Sequence, residues 1–157
     1  MYPQRIQTTS GNQSSQGSTA LMLSSDSFNQ DIDLVDKRAK PKTVILFYAD
    51  WCGHCQRVKP EFYKLSEMAV TGKLGNDVTV AMVNTDENPD LMNMINSSEM
   101  SEYEVKGFPT IVSYKDGKYF STYAPGASEE ERKNFRTATD LIDYIKTIGI
   151  GPIVYKA

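Results

Sequence analysis

Short apolar runs alternate with helical patterns along this chain. Val44–Ala49 is apolar on both faces and rich in branched and aromatic side chains, which is typical of a central strand buried between helices. Val78–Val83 has the same character and predicts a second buried strand. Between them, apolar residues at helical spacing predict a helix from about Cys52 to Val70, kinked at Pro60. Its apolar stripe is formed by Val58, Phe62, Leu65 and Ala69, and its end is marked by Gly72 and Gly75.

The same patterns predict further elements on both sides of this unit. Leu21–Leu23 predicts a short strand, followed by a helix that begins at Asp26 or Ser27. The buried face of that helix is predicted to hold Phe28, Ile32 and Val35. Asn88-Pro89 is typical of a helix start and precedes the apolar residues Leu91, Met94 and Ile95.

An antiparallel pair and a helix are predicted to close the fold. Thr110–Tyr114 and Lys118–Tyr123 flank Asp116-Gly117, which is a strong signal for a β-hairpin. Thr137 is predicted to cap a last helix with Asp140 in its first turn, and the buried face of this helix is Leu141, Ile145 and Ile148. The order indicates an α/β domain: a mixed sheet of four or five strands with helices on both faces.

The two ends of the chain differ from its centre. Residues 1–18 are mostly Gln, Ser, Thr, Gly and Asn, and this composition predicts a disordered tail. The folded domain is therefore expected over residues 19–150, with residues 151–157 as a C-terminal tail. The first 20 residues hold no apolar core typical of a secretory signal, and the last five form no retrieval signal for the endoplasmic reticulum. We therefore expect a cytoplasmic protein.

Length and charge exclude several classes of protein. A chain of 157 residues corresponds to one domain and a tail. The net charge of −3 provides no basic field for nucleic acid, so no nucleic-acid partner is expected. The longest wholly apolar run has six residues, Val44–Ala49, whereas a membrane-spanning helix needs about 20. The oligomeric state is not determined by the sequence.

Cys52 and Cys55 carry the chemistry that the sequence suggests. At the start of a helix they place two sulfur atoms on one helical face, where they can form a small disulfide ring. Cys52 lies near free backbone N–H groups and the positive end of the helix dipole, which favours its thiolate and makes it the candidate nucleophile. Cys55 is further inside the helix and is predicted to resolve a mixed disulfide between Cys52 and a substrate.

The residues around the cysteines fit a protein substrate. His54 can favour the Cys52 thiolate, which stabilises the reduced form and makes the disulfide more oxidising. Gly53 leaves room for a partner backbone, and Trp51 provides a flat apolar flank. A structural cysteine pair, or half of a zinc site shared by two chains, is the alternative interpretation.

The run Trp51-Cys52-Gly53-His54-Cys55 resembles the active site of the protein disulfide isomerase branch of the thioredoxin superfamily. The resemblance extends over residues 20–148, and its further landmarks are Phe47-Tyr48-Ala49, Pro60, Asp86–Pro89 and Gly107-Phe108-Pro109-Thr110. It implies a thioredoxin-like fold and a cis-proline at Pro109 beside the cysteines. It also implies that Phe108 pairs with substrate through its backbone.

Two positions need separate comparison with that family. Members usually carry a buried acid that accepts the proton of the resolving cysteine, but the matching residue here is Leu46. Asp50 or Glu61 could replace it only through water, and we expect both to be too distant. Family isomerases also carry a mobile arginine before the last helix, and Arg136 resembles it. The stretch 124–134 is longer than the corresponding connection in the family and can be a solvated loop.

Together these residues predict a protein disulfide oxidoreductase or isomerase. The expected substrates are protein thiols and disulfides, with glutathione or a redox protein as a possible partner and with no metal or organic cofactor. The resemblance of Gly53-His54 to isomerases conflicts with the expected cytoplasmic location, where the pair would be kept reduced. A cytoplasmic thioredoxin-like reductase, or a thioredoxin-fold binding or chaperone module with weak turnover, is the alternative.

Overall fold

A mixed five-stranded sheet forms the centre of the computed structural model, which describes residues 19–123 and 137–150. The strands are β1 (Leu21–Met22), β2 (Lys42–Tyr48), β3 (Val78–Asn84), β4 (Thr110–Lys115) and β5 (Lys118–Thr122). The α-helices of the described residues are α1 (Gly53–Val70), α2 (Pro89–Ser97) and α3 (Ala138–Lys146). The strand order is β1-β3-β2-β4-β5. Strands β1, β3 and β2 are parallel to one another, and β4 runs antiparallel to both of its neighbours, β2 and β5. The predicted α/β class with a mixed sheet is confirmed.

The central strand β2 separates two apolar layers. Val44, Leu46 and Tyr48 face one layer together with α1 and α3, whereas Ile45 and Phe47 face the other together with α2. This division follows from the alternation of side chains along a strand, and it explains why β2 is apolar on both faces. Helices therefore cover both faces of the sheet, as the pattern predicts.

The local signals for the other elements are also confirmed. Thr137 caps α3: its hydroxyl accepts a hydrogen bond from the Asp140 N–H at 3.2 Å. The hairpin turns at Asp116 and Gly117, which both adopt positive φ. Helix α1 continues through Pro60 and ends before Gly72, whose φ is +82°.

The predicted helix after β1 is wrong. Residues Ser25–Ser27 form a single 3-10 turn, and Phe28 then pairs with Leu34 in an antiparallel bridge. The side chain of Asn29 accepts hydrogen bonds from the N–H groups of Asp31 and Asp33, both at 2.9 Å. This local turn competes with helix formation because it satisfies the same backbone donors. Phe28 and Ile32 are nevertheless buried, but Val35 is exposed and Leu34 is buried in its place.

Several predictions fall on residues outside the described ranges. They are the disordered tail over 1–18, the connection over 124–134, the role of Arg136 and the C-terminal tail over 151–157. Over residues 19–123 and 137–150, no helix has the length and apolar character needed to cross a membrane.

Candidate active site

The turn between β2 and α1 places Cys52 at the N-terminus of the helix. The Cys52 N–H donates to the Ala49 carbonyl at 3.1 Å, and Cys52 itself is the N-cap residue of α1. Its Sγ accepts a hydrogen bond from the Cys55 N–H at 3.3 Å. The Cys52 sulfur is therefore placed at the N-terminal end of α1, against a backbone N–H donor. Only 7% of Cys52 is exposed, and both cysteines are free thiols.

Cys55 lies one turn inside the helix and is fully buried. Burial, together with a hydrogen bond to Cys52 and the charge of Cys52, raises the pKa of its thiol to about 12. A backbone hydrogen bond at Ala49 and the charge of Lys59 act against this increase. The two thiols therefore have the placement expected for an attacking and a resolving cysteine.

A second loop approaches the cysteines from the start of β4. The Phe108–Pro109 peptide bond is cis, as the family resemblance implies. The Cys52 thiol donates to the Phe108 carbonyl at 3.5 Å. The ring of Phe108 meets the Trp51 ring edge-to-face, with 5.6 Å between centroids. Trp51 is 70% exposed, and its Nε1 donates to Asp86 at 3.4 Å, so an apolar surface flanks the sulfur.

The two residues between the cysteines have different surroundings. Gly53 is exposed, and a Cβ added to it would have no heavy atom within 4 Å, which leaves space for an approaching substrate. His54 Nδ1 lies 2.6 Å from the guanidinium of Arg57. An imidazole nitrogen accepts from a cation only when it carries no proton, so this contact favours neutral His54. Sequence reasoning missed Arg57, although its i, i+3 spacing from His54 was a visible signal.

The position of the missing buried acid is filled by an apolar contact. Leu46 is fully buried and pairs in register with Met82 of β3. The two alternative acids are engaged elsewhere. Glu61 accepts from the Ala138 N–H at 2.8 Å, whereas Asp50 accepts from Lys59 and from Asn84, each at 3.3 Å.

The predicted site residues thus form one group in the described part of the chain. Trp51, Cys52, Gly53, His54 and Cys55 meet Phe108 and Pro109 at one end of the sheet, while Arg136 lies outside the described ranges. Those ranges hold no group of three or more His, Cys, Asp or Glu side chains that could bind a metal. The arrangement can support exchange between a dithiol and a disulfide.

Comparison with known proteins agrees with this geometry. The family model described as Thioredoxin matches residues 19–138. Protein disulfide-isomerase of Ricinus communis is 30% identical over 129 residues, which cover 82% of this chain and 22% of that protein. Thioredoxin of Rhodospirillum rubrum is 36% identical over 100 residues, which cover 64% of this chain and 80% of that protein. The chain therefore spans about a fifth of the protein disulfide-isomerases that it matches.

Solved structures show the same fold. Human ERp44 form I superposes with a TM-score of 0.58 at 21% identity, covering 83% of this chain and 29% of that one. Thioredoxin of Malassezia sympodialis gives a TM-score of 0.54 at 25% identity, covering 84% of this chain and 91% of that one. On the match to the family model and on these relatives, the chain belongs to the thioredoxin family.

Proposed function

We propose that this chain catalyses thiol–disulfide exchange on protein substrates through the Cys52–Cys55 pair. The observation that carries the proposal is the position of Cys52. Its Sγ accepts from the Cys55 N–H at 3.3 Å at the start of α1 and lies 3.5 Å from the Phe108 carbonyl, beside an exposed Trp51. This places a nucleophilic sulfur next to a backbone and an apolar surface that a polypeptide can contact.

In the reducing direction, the Cys52 thiolate attacks one sulfur of a substrate disulfide. The substrate S–S bond breaks, one substrate thiolate leaves and takes a proton from solvent, and a mixed disulfide forms. Cys55 then loses its proton to solvent and attacks the Cys52 sulfur. The mixed disulfide breaks, the second substrate thiol is released, and the protein keeps the Cys52–Cys55 disulfide. The reverse sequence oxidises a substrate dithiol.

The other site residues have supporting roles in this proposal. His54 and Gly53 tune the pair and admit the substrate, and Arg136 would assist deprotonation of Cys55 as in the isomerases that the sequence resembles. Trp51, Phe108 and Pro109 form the substrate surface. Protein disulfide isomerase activity is the finer form of this proposal, and it is supported by the similarity to protein disulfide-isomerases over one domain.

Reduction of insulin by the reduced protein tests the exchange reaction. We expect activity in the wild type, no activity in Cys52→Ser, and accumulation of a mixed disulfide in Cys55→Ser, because only the resolving thiol is missing there. Detection of that adduct by non-reducing electrophoresis and mass spectrometry identifies the attacking cysteine. Equal activity of Cys52→Ser and wild type would refute the proposal.

The direction of the reaction depends on the reduction potential of the pair. Equilibration in glutathione buffers measures it. A value near about −180 mV supports oxidation or isomerisation, whereas a value near about −270 mV supports a thioredoxin-like reductase. The latter fits a cytoplasmic location, where the pair would be kept reduced.

A binding module is the second candidate function, and the Leu46–Met82 contact favours it. Where other family members carry an acid, this chain buries two apolar side chains, so no carboxylate at that position assists Cys55. Slow turnover would leave non-covalent binding of a partner as the main activity of this surface. The double variant Cys52→Ser/Cys55→Ser separates the two functions, because a binding module keeps its partner without thiols whereas an oxidoreductase loses its activity.

A further inference from the structure

Lys59 lies one helical turn beyond Cys55 on α1, so both side chains point to the same side of the helix. Its side chain is only 15% exposed. A lysine in such a position loses much of its hydration, and it is held there only when other groups compensate its charge. The partners of Lys59 therefore show where the charge is held.

Two neighbours fix the Lys59 ammonium against the end of β2. Its Nζ lies 3.3 Å from Asp50 Oδ1 and 4.1 Å from the centroid of the Tyr48 ring. Asp50 is itself held by Asn84 of β3, whose amide donates to the other carboxylate oxygen at 3.3 Å. Tyr48 belongs to the same apolar layer as Cys55. The cation is thus placed at the edge of the layer that buries the resolving thiol.

The surroundings of Cys55 make this position significant. In the apolar layer that buries Cys55, β2 contributes Tyr48, α1 contributes Cys52 and β3 contributes the uncharged Met82. Lys59 of α1 lies over the Tyr48 ring and pairs with Asp50 of the turn after β2. Burial also raises the pKa of Tyr48 to about 12, so this phenol is neutral at physiological pH. Lys59 is therefore the cation of this group.

We propose that Lys59 is a positioning residue for the resolving step, and that its fixed charge stabilises the Cys55 thiolate as it forms. The proposal rests on the proposed function and deepens it. In the step itself, Cys55 releases its proton to solvent and forms an S–S bond to Cys52, and the substrate–Cys52 bond breaks. The leaving substrate thiolate takes a proton from solvent. Lys59 exchanges no proton and acts through its charge. This role agrees with the charge of Lys59 lowering the pKa of Cys55.

A reagent that separates the two thiol reactions tests this role. Dithiobis-nitrobenzoate releases one coloured thiolate when Cys52 attacks it and a second when Cys55 resolves the mixed disulfide. We expect Lys59→Met to slow the second release about five- to tenfold at neutral pH and to shift its pH profile to higher pH. The first release should stay within about twofold of wild type. Lys59→Arg keeps the charge and should restore the second release.

Lys64→Met is the matched control, because Lys64 is an ion-paired lysine of the same helix but is 66% exposed. We expect wild-type rates for both releases. Lys59→Gln provides a second neutral variant, and circular dichroism confirms folding of each. Equal second-release rates for wild type and the folded neutral variants would overturn the role of Lys59. Absence of the first release, or of insulin reduction, in the wild type would instead refute the proposed function.

Discussion

Cys52 and Cys55 differ in what their side chains contact. Cys52 accepts a backbone N–H at 3.3 Å and faces the Phe108 carbonyl, whereas Cys55 is fully buried behind it. Burial raises the Cys55 pKa to about 12, so the thiolate of Cys55 is scarce at neutral pH. A sequence of attack by Cys52 and resolution by Cys55 follows from this difference, because nucleophilicity requires the thiolate and access to the substrate.

Arg57 is predicted to make the pair less oxidising. Its guanidinium lies 2.6 Å from His54 Nδ1 and opposes protonation of the imidazole. Arg57→Met removes this opposition, so a protonated His54 can stabilise the Cys52 thiolate of the reduced form. We expect the reduction potential to become less negative by about 10 to 30 mV, which is a two- to tenfold change in the equilibrium constant. Equilibration in glutathione buffers measures it.

Lys64→Met is the control for Arg57→Met. It removes a cation from the same helix, but one that is further along the chain from His54 than Arg57 is. Its potential should equal that of wild type. An unchanged or more negative potential in Arg57→Met would contradict the effect assigned to the His54 contact.

The sequence predicts the reactive residues better than the residues that tune them. The spacing of Cys52 and Cys55 is visible because neighbours on one helical turn are fixed by the helix itself. The contacts of Lys59 with Tyr48 and Asp50 depend on the rotamer of a long side chain and on the end of β2. A pattern of apolar positions does not contain this information. Asp50 and Glu61 could be named as candidates, but their partners required the structure.

At the scale of the elements, agreement follows the strength of the local signal. Strand β2, helix α1 and the hairpin combine a long apolar pattern with clear end signals, and the structure confirms them. The segment after β1 carries a helical pattern in Phe28, Ile32 and Val35 but no helix. Asn29 closes a local turn there, and Ile32 adopts a φ of 63°. Polar side chains that bond to the backbone thus override a short apolar pattern.

Gly117 is predicted to be required by the hairpin between β4 and β5. Its φ is +84°, and an added Cβ would lie 3.0 Å from the Leu34 carbonyl oxygen. Gly117→Ala should therefore lower the free energy of unfolding by about 1 to 2 kcal/mol and the melting temperature by about 3 to 8 °C. Thermal melting followed by circular dichroism measures the change.

Gly107→Ala is the matched control for the hairpin glycine. Gly107 does not have a positive φ, and its added Cβ would have no heavy atom within 4 Å. We expect its melting temperature to stay within about 2 °C of wild type. If the two variants melted at the same temperature, the geometric requirement at Gly117 would be refuted.

At the scale of the whole molecule, three tyrosines pack together on the side of the sheet away from α1, where Tyr103 and Tyr114 are buried and Tyr119 is partly buried. Tyr114 contacts the Tyr103 hydroxyl at 2.9 Å and donates to the Ile32 carbonyl at 2.7 Å, while Tyr119 stacks on Tyr103 with 4.8 Å between ring centroids. Burial raises the pKa of all three phenols. On the other side of the sheet, burial has the same effect on Tyr48 and Cys55.

These raised pKa values predict that the reduced protein loses stability at alkaline pH. The ordinary pKa is 9.0 for a cysteine and 10.0 for a tyrosine, so above those values the unfolded chain releases protons that the folded chain still holds. The stabilising contribution of these groups to the free energy of unfolding is therefore complete below about pH 9. As the pH rises further, the free energy of unfolding falls by up to about 1.4 kcal/mol per pH unit for each group. Urea unfolding between about pH 7 and pH 11 measures this dependence.

Cys55→Ser should remove the part of the decrease that begins near pH 9, because serine does not titrate there, and should leave the steeper tyrosine part above about pH 10. A free energy of unfolding that is constant from about pH 8 to pH 11 would show that these groups titrate alike in the folded and unfolded states, and would contradict their burial.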